Sequence, residues 1–223
     1  MRYPLFLTIT LLVLGGMLYG QDPAPAAPKE NVAFKWAFAV AGGKSLSLIT
    51  KDTSLKSGDD IKMFVQLEKE CFVYVVHASS KGEIDLLFPY SVQQFSSDYQ
   101  IEKNYYVPVG RKWLQLDDTK GKETFYVLAS IERLLELEAM LGDYQTAIAE
   151  KKVDLGTKIV AEIRDARRRY KTFATIAEKP ITIGGNIRAL EQAEAARRPD
   201  IAEHATRITA NNFFSKTYTI DHQ

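Results

Sequence analysis

Five consecutive residues, Phe72-Val73-Tyr74-Val75-Val76, carry β-branched or aromatic side chains at every position, and that run constrains the fold more than any other. Successive side chains of a strand point to opposite faces, so a strand apolar at every position needs cover on both sides and belongs in the middle of a sheet. A second run behaves differently: Ile61, Met63, Val65 and Leu67 are interleaved with Lys62, Gln66 and Glu68. That alternation predicts a strand with one face on the core and the other mostly in water. Further short runs predict strands at 33–39, 45–49, 84–88, 105–107, 113–116 and 124–129, separated by Gly, Asp, Ser and Lys clusters. Asp117-Asp118-Thr119-Lys120-Gly121 has the composition of a hairpin connection. Turn signals recurring at about ten-residue intervals favour an antiparallel sandwich of the immunoglobulin type over a parallel α/β sheet.

The period changes after Ile131. Leu134, Leu137, Leu141, Tyr144 and Ile148 recur at helical steps, and Leu155, Ile159, Ile163, Ala166, Tyr170 and Phe173 form a second such stripe. Residues 187–198 read as a third helix, and 213–220 return to strand character. A strand after helices makes the helical segment an insert before the last strand, so the fold class expected is mainly β, with α+β content overall. The expected organisation is a signal peptide over 1–20, a Pro/Ala-rich linker over 21–30, a β-sandwich over 31–130, a helical insert over 131–198, and a connector with closing strand over 199–223.

The first segment rests on Met1-Arg2 followed by an apolar run from Leu5 to Leu14 and a small-residue neighbourhood at Gly20. Such a run is short for a bilayer span and has the layout of a cleaved export signal. The expected location is therefore extracytoplasmic, periplasmic or secreted, with membrane contact confined to the signal before cleavage. Asp22-Pro23-Ala24-Pro25-Ala26-Ala27-Pro28 reads as a semi-rigid tether. Net charge is +1, with acids and bases interspersed, which gives no footprint for nucleic acid. The lone Cys71 sits in an apolar strand and reads as a buried apolar residue.

Read in order, Leu55-Lys56-Ser57-Gly58-Asp59, Cys71-Phe72-Val73-Tyr74-Val75, Gly82, Leu87-Phe88-Pro89, Tyr106-Val107-Pro108, Gly121-Lys122-Glu123 and Val127-Leu128-Ala129-Ser130 resemble the pattern of the DUF4384 family. The resemblance covers about residues 55–130. It implies a domain without assigned chemistry, found in exported bacterial proteins and appended to other domains, where it would serve as an interaction module. The residues also have plain physical roles: Gly58 and Asp59 suit a tight turn, Pro89 and Pro108 skirt strands, and Glu123 orients a hairpin.

Motifs for catalysis are missing from the sequence. His77, His204 and His222 are far apart, with no H-E-x-x-H or C-x-x-C, and no nucleophile elbow or phosphate-binding glycine loop occurs. Asp59-Asp60 and Asp117-Asp118 each lack a third acid in register for calcium. No cofactor or metal is expected. One charge feature stands out: Arg164, Arg168 and Lys171 follow i, i+4, i+7 steps on the second helix and form a candidate docking patch for an acidic envelope protein or an anionic envelope polymer, balanced in part by Glu162 and Asp165. The leading expectation is a non-catalytic interaction or scaffold domain of the bacterial cell envelope. Two alternatives are a glycan- or peptide-binding module using Tyr90, Tyr99, Tyr105, Tyr106 and Trp113, and an envelope hydrolase with an unrecognised carboxylate site.

Overall fold

The computed structural model describes residues 31–42, 45–170, 176–179 and 199–223. The expected signal peptide, the linker, the third helix, Phe173 and Lys171 lie outside the described residues. The described chain is mainly β, with two sheets and few helices.

In the first sheet, β1 (Val32–Gly42) lies antiparallel to β4 (Asp60–Leu67) along most of its length. On the other side of β1, its first half pairs with β11 (Thr206–Ala210) and its second half with β2 (Ser45–Leu48). β4 divides its outer side in the same way, between β7 (Asn104–Val107) and β8 (Leu114–Gln115), and β10 (Ile176–Lys179) flanks β11. The second sheet runs in the order β3 (Thr53–Leu55), β12 (Phe213–His222), β9 (Gly121–Ser130), β5 (Phe72–Ala78), β6 (Ile84–Phe88). Its pairs are antiparallel except β3 with β12, which is parallel. β5 is flanked on both edges and covered on both faces, as its uniform apolar sequence requires.

Alternation builds the core between the sheets. Val32, Phe34, Trp36 and Phe38 of β1 and Ile61, Met63, Val65 and Leu67 of β4 point inward, against Val73 and Val75, Phe125 and Val127, and Phe214, Tyr218 and Ile220 of the second sheet. The layers interlock through aromatic edges: Phe34 meets Phe214 at 5.6 Å, and Phe38 meets Phe125 at 5.0 Å and Tyr218 at 5.5 Å. Trp36 Nε1 donates to Tyr218 Oη at 2.9 Å, so the polar atoms of both rings are satisfied inside the core. Each such side chain contributes roughly 1.5–3 kcal/mol by leaving water.

The helices α2 (Leu135–Thr146) and α3 (Ala149–Tyr170) follow β9 in the chain and pack on the outer face of the second sheet, where Leu137, Leu141, Ile159 and Ile163 meet Tyr74, Val76, Tyr126 and Leu128. A short α1 (Gln94–Ser97) lies between β6 and β7. No helix among the described residues is long and apolar enough to cross a membrane.

Several expectations need correction. The outer face of β4 is covered at Lys62, 5% exposed, and Phe64, 2% exposed: the 3-10 turn Ile201–His204 packs on Phe64, and Tyr106, Trp113 and the carbonyls of Gly110 and Lys112 surround Lys62. Residues 117–121 do not close a hairpin: they carry the chain from β8 in one sheet to β9 in the other. Ile148 lies between the helices and is 62% exposed, not part of the buried stripe. The segment 131–198 is not helical throughout, since β10 falls inside it, and the stretch read as a connector holds β11. β3 is a further strand, three residues long, that carries little periodic signal of its own.

Candidate functional site

The outward side of α3 is exposed along its length. Ile159, Ile163 and Ala166 anchor its inner side in the helix–sheet core. Gly156 lets it approach the β5–β6 turn closely, because a Cβ there would stand 3.0 Å from the Gly82 carbonyl oxygen. With one side fixed, the opposite side presents Val153, Thr157, Ala161, Arg164 and Arg168 to solvent, a row set by the helical period. Arg168 is 77% exposed and pairs with Asp165 one turn earlier. Arg169 is drawn sideways to Glu162 at 2.5 Å and Glu136 at 3.7 Å, and Arg167 donates to Thr217 Oγ1 at 3.3 Å. Of the three residues singled out in the sequence, the structure therefore brings Arg164 and Arg168 onto one exposed side, while Lys171 lies outside the described residues.

The aromatic residues divide into two groups. Tyr99 and Tyr105 are packing elements: Tyr99 stacks within a cluster of Phe72, Phe88, Phe95 and Tyr105, donates to the Cys71 carbonyl at 3.1 Å and accepts from the Val73 amide at 2.8 Å. Burial pushes its phenol well above the usual tyrosine range. Tyr106 and Trp113 instead stand on the outer face of the first sheet around Lys62, whose ammonium lies 5.4 and 5.8 Å from their ring centres. Lys62 Nζ donates to the carbonyls of Gly110 at 2.6 Å and Lys112 at 2.5 Å, so its charge holds the β7–β8 loop. Tyr106 Oη donates to Asp200, and Tyr90 Oη to the Tyr106 carbonyl at 2.8 Å.

His77 lies on β5, an inner strand between β9 and β6. It sits between Glu123, 2.7 Å from Nε2, and Asp85, 3.4 Å from Nδ1, with its ring stacked on Phe125 at 4.7 Å. Glu123 also accepts the Ser80 amide at 3.1 Å, so it does fix the β5–β6 turn. This cluster escaped sequence reading because its three members come from different strands. The signal available was an acid two residues from Gly121 that ends up 7% exposed. His222 Nε2 lies 3.1 Å from Ser57 Oγ and ties the end of β12 to the Ser57-Gly58-Asp59 turn. Cys71 is buried, and burial pushes its thiol up to about 11, which leaves it protonated and unreactive. Among the described residues, no group of three or more His, Cys, Asp or Glu side chains is arranged to hold a metal ion.

The order of these elements (the Ser57-Gly58-Asp59 turn, the buried β5, the Phe88-Pro89 and Val107-Pro108 steps, then Glu123 leading β9) is the order of a known pattern. Residues 54–133 match the family model of DUF4384, a domain of unknown function. No curated protein and no solved structure matches the chain. The DUF4384 segment supplies β4 to β9, yet it does not contain β1, the inner partner of β4, or β12, which lies between β3 and β9. Both sheets are thus completed by strands from outside the matched residues.

Proposed function

We propose that this chain is an exported, non-catalytic interaction domain of the bacterial cell envelope, that its sheets form an immunoglobulin-like sandwich, and that the helices are an insert which presents a docking surface. The reading is carried by one observation: Arg164 and Arg168 project from the free side of a helix whose other side is locked into a core. Presenting cations from a rigid element spares a partner the ordering cost of binding a flexible arm. Supporting it, the groups most capable of chemistry are engaged in holding elements together, including His77, His222 and Lys62, while Cys71 is buried. The partner would be an acidic envelope protein or an anionic polymer, reached through charge.

The test uses the full processed chain and envelope polymer isolated from its source, with polyglutamate as a defined acidic probe. Binding should weaken steeply between low and physiological salt, and the combined reversal Arg164→Glu, Arg168→Glu and Lys171→Glu should weaken it by about tenfold or more. Equal binding by the reversed variant would remove α3 as the docking surface. The second reading, a glycan- or peptide-binding module, is favoured by the half-exposed Tyr106 and Trp113 pair around Lys62. Loss of binding in Trp113→Ala with full binding in the α3 variant would select it.

A further inference from the structure

Both ring nitrogens of His77 face carboxylate oxygens, Nε2 that of Glu123 and Nδ1 that of Asp85. A neutral imidazole has one N–H and one lone pair. Either neutral tautomer would therefore aim a lone pair at an anionic oxygen, and the doubly protonated ring alone can donate to both. We propose that protonated His77 is a pH-operated clamp that joins β5, β6 and β9 at one end of the second sheet.

Alternation sets the cluster on the sheet face opposite the helices: His77 stacks on Phe125 of the inter-sheet core, while Ile84 and Leu86, on either side of Asp85, face the helix layer. Glu123 bonds His77 with one oxygen and the Ser80 amide with the other, which fixes the turn between β5 and β6. In that turn, Gly82 lies against Gly156 of α3. Asp85, on β6, is the next partner, and the field of Lys152 from α3 acts on it. The Lys152 ammonium stands 5.1 Å from the centre of the Tyr144 ring, and Tyr144 Oη accepts the Ile84 amide at 3.0 Å. The charged groups acting on the clamp are thus Glu123 from β9, Asp85 from β6 and Lys152 from α3, while Phe125 supplies an uncharged wall.

The two halves of the clamp are unequal, and that sets how it opens. Glu123 is 9% exposed at its side chain and Asp85 63%. When the ring loses its proton, the shorter and more buried bond to Glu123 keeps the remaining N–H, and Asp85 is released. Burial opposes the charged ring, but the two carboxylates outweigh it and hold His77 above its usual range. Asp85 is held below its own usual range, first by the bond from His77. A histidine raised in the folded state contributes stability that is complete below about pH 6.5 and is lost as pH climbs through the higher folded value.

Nitrogen-detected NMR of the His77 ring in the full processed chain tests the protonation state. At pH 6 both nitrogens should carry protons, with a midpoint above about 6.5; a neutral ring at pH 6 overturns the clamp. Amide exchange then tests the coupling. After correction for intrinsic rates, protection at residues 80–85 should fall roughly fivefold between pH 6 and pH 9. Asp85→Asn, at an exposed position, should lower the His77 midpoint and flatten that dependence. Protection that ignores pH in the natural chain, or a variant with the same pH profile as the natural chain, overturns the coupling.

Discussion

The two sheets have covered their second faces in different ways. Behind the second sheet, Tyr74, Val76, Tyr126 and Leu128 project large side chains, and two helices bury them. Behind the first, β1 turns out Ala37 and Ala39, and a single 3-10 turn with Ile201 and Ala205 covers these together with Phe64. The comparison teaches that small outward residues on β1 admit a thinner cover, even beside the large Phe64, Tyr106 and Trp113. Small residues let one turn of backbone lie close, whereas the large ones behind the second sheet leave a volume that helix-borne side chains fill to interior density. The latches differ as well. The helices are fixed by a buried acid network, Tyr74 to Glu138 to Arg133, and the thin cover by Asp200, which accepts from the Ala202 amide at 3.0 Å and from Tyr106.

The largest effect expected from this difference is in truncations of the two covers. Leu137 is fully buried in the helix layer, and Leu137→Ala should cost about 3 kcal/mol, because several rigid elements surround the cavity and cannot collapse into it. Ile201 belongs to the single 3-10 turn itself and is buried to a similar degree, and Ile201→Ala should cost about 2 kcal/mol, since one turn can settle inward. Urea unfolding of both variants decides the matter. Equal losses would mean that the thin cover is as rigid as the helical one.

Much of this architecture was legible in sequence, for physical reasons that vary by element. β5 and β12 announce themselves because uniform or alternating apolar runs have few other ways to be buried. The same holds for the α2 and α3 stripes, where Leu137, Leu141, Ile159 and Ile163 are the residues the helical period selects. The outer face of β4 misled because Lys62 looks like a solvated residue: its long apolar stem and its bonds to loop carbonyls let it be buried, and no pattern of spacing records those bonds. The break between 117 and 121 misled because a turn composition states that the chain bends, not which sheet it joins next. The His77 cluster was invisible, since Asp85 and Glu123 reach it through strand pairing. At α3 the cationic row was legible as spacing, while the withdrawal of Arg169 to Glu162 and Glu136 was not.

A smaller effect separates the latches. Tyr74 Oη donates to Glu138 at 2.6 Å and accepts the Leu134 amide at 2.9 Å, where α2 begins. Burial, with the Glu138 carboxylate beside it, pushes the phenol far above its ordinary value, so the latch stays neutral and intact at alkaline pH. Tyr74→Phe keeps the ring, orphans the Leu134 amide and leaves Glu138 with Arg133, at a cost of about 2 kcal/mol. The measurement is chemical denaturation at pH 6 and pH 9. A loss equal at both values fits a neutral latch; a loss confined to one of them would assign the network a titrating role.

The smallest change in stability is expected at Lys62, and its sign is a balance. Burial holds the amine below its usual range, while the Asp200 charge works in the opposite direction. Lys62→Met keeps the stem volume and removes an ammonium that is costly to desolvate, yet it strips the donor from the carbonyls of Gly110 and Lys112. Those two residues are exposed, so water can replace the lost bonds. Global stability should then stay within about 1 kcal/mol of the natural chain, while amide protection across 109–113 falls because the loop has lost its anchor. Calorimetry and exchange on the same sample separate the two quantities. If Lys62→Met unfolds the chain instead, the ammonium is a strut of the whole first sheet rather than of one loop, and the thin cover depends on buried charge as heavily as the helical cover depends on Glu138.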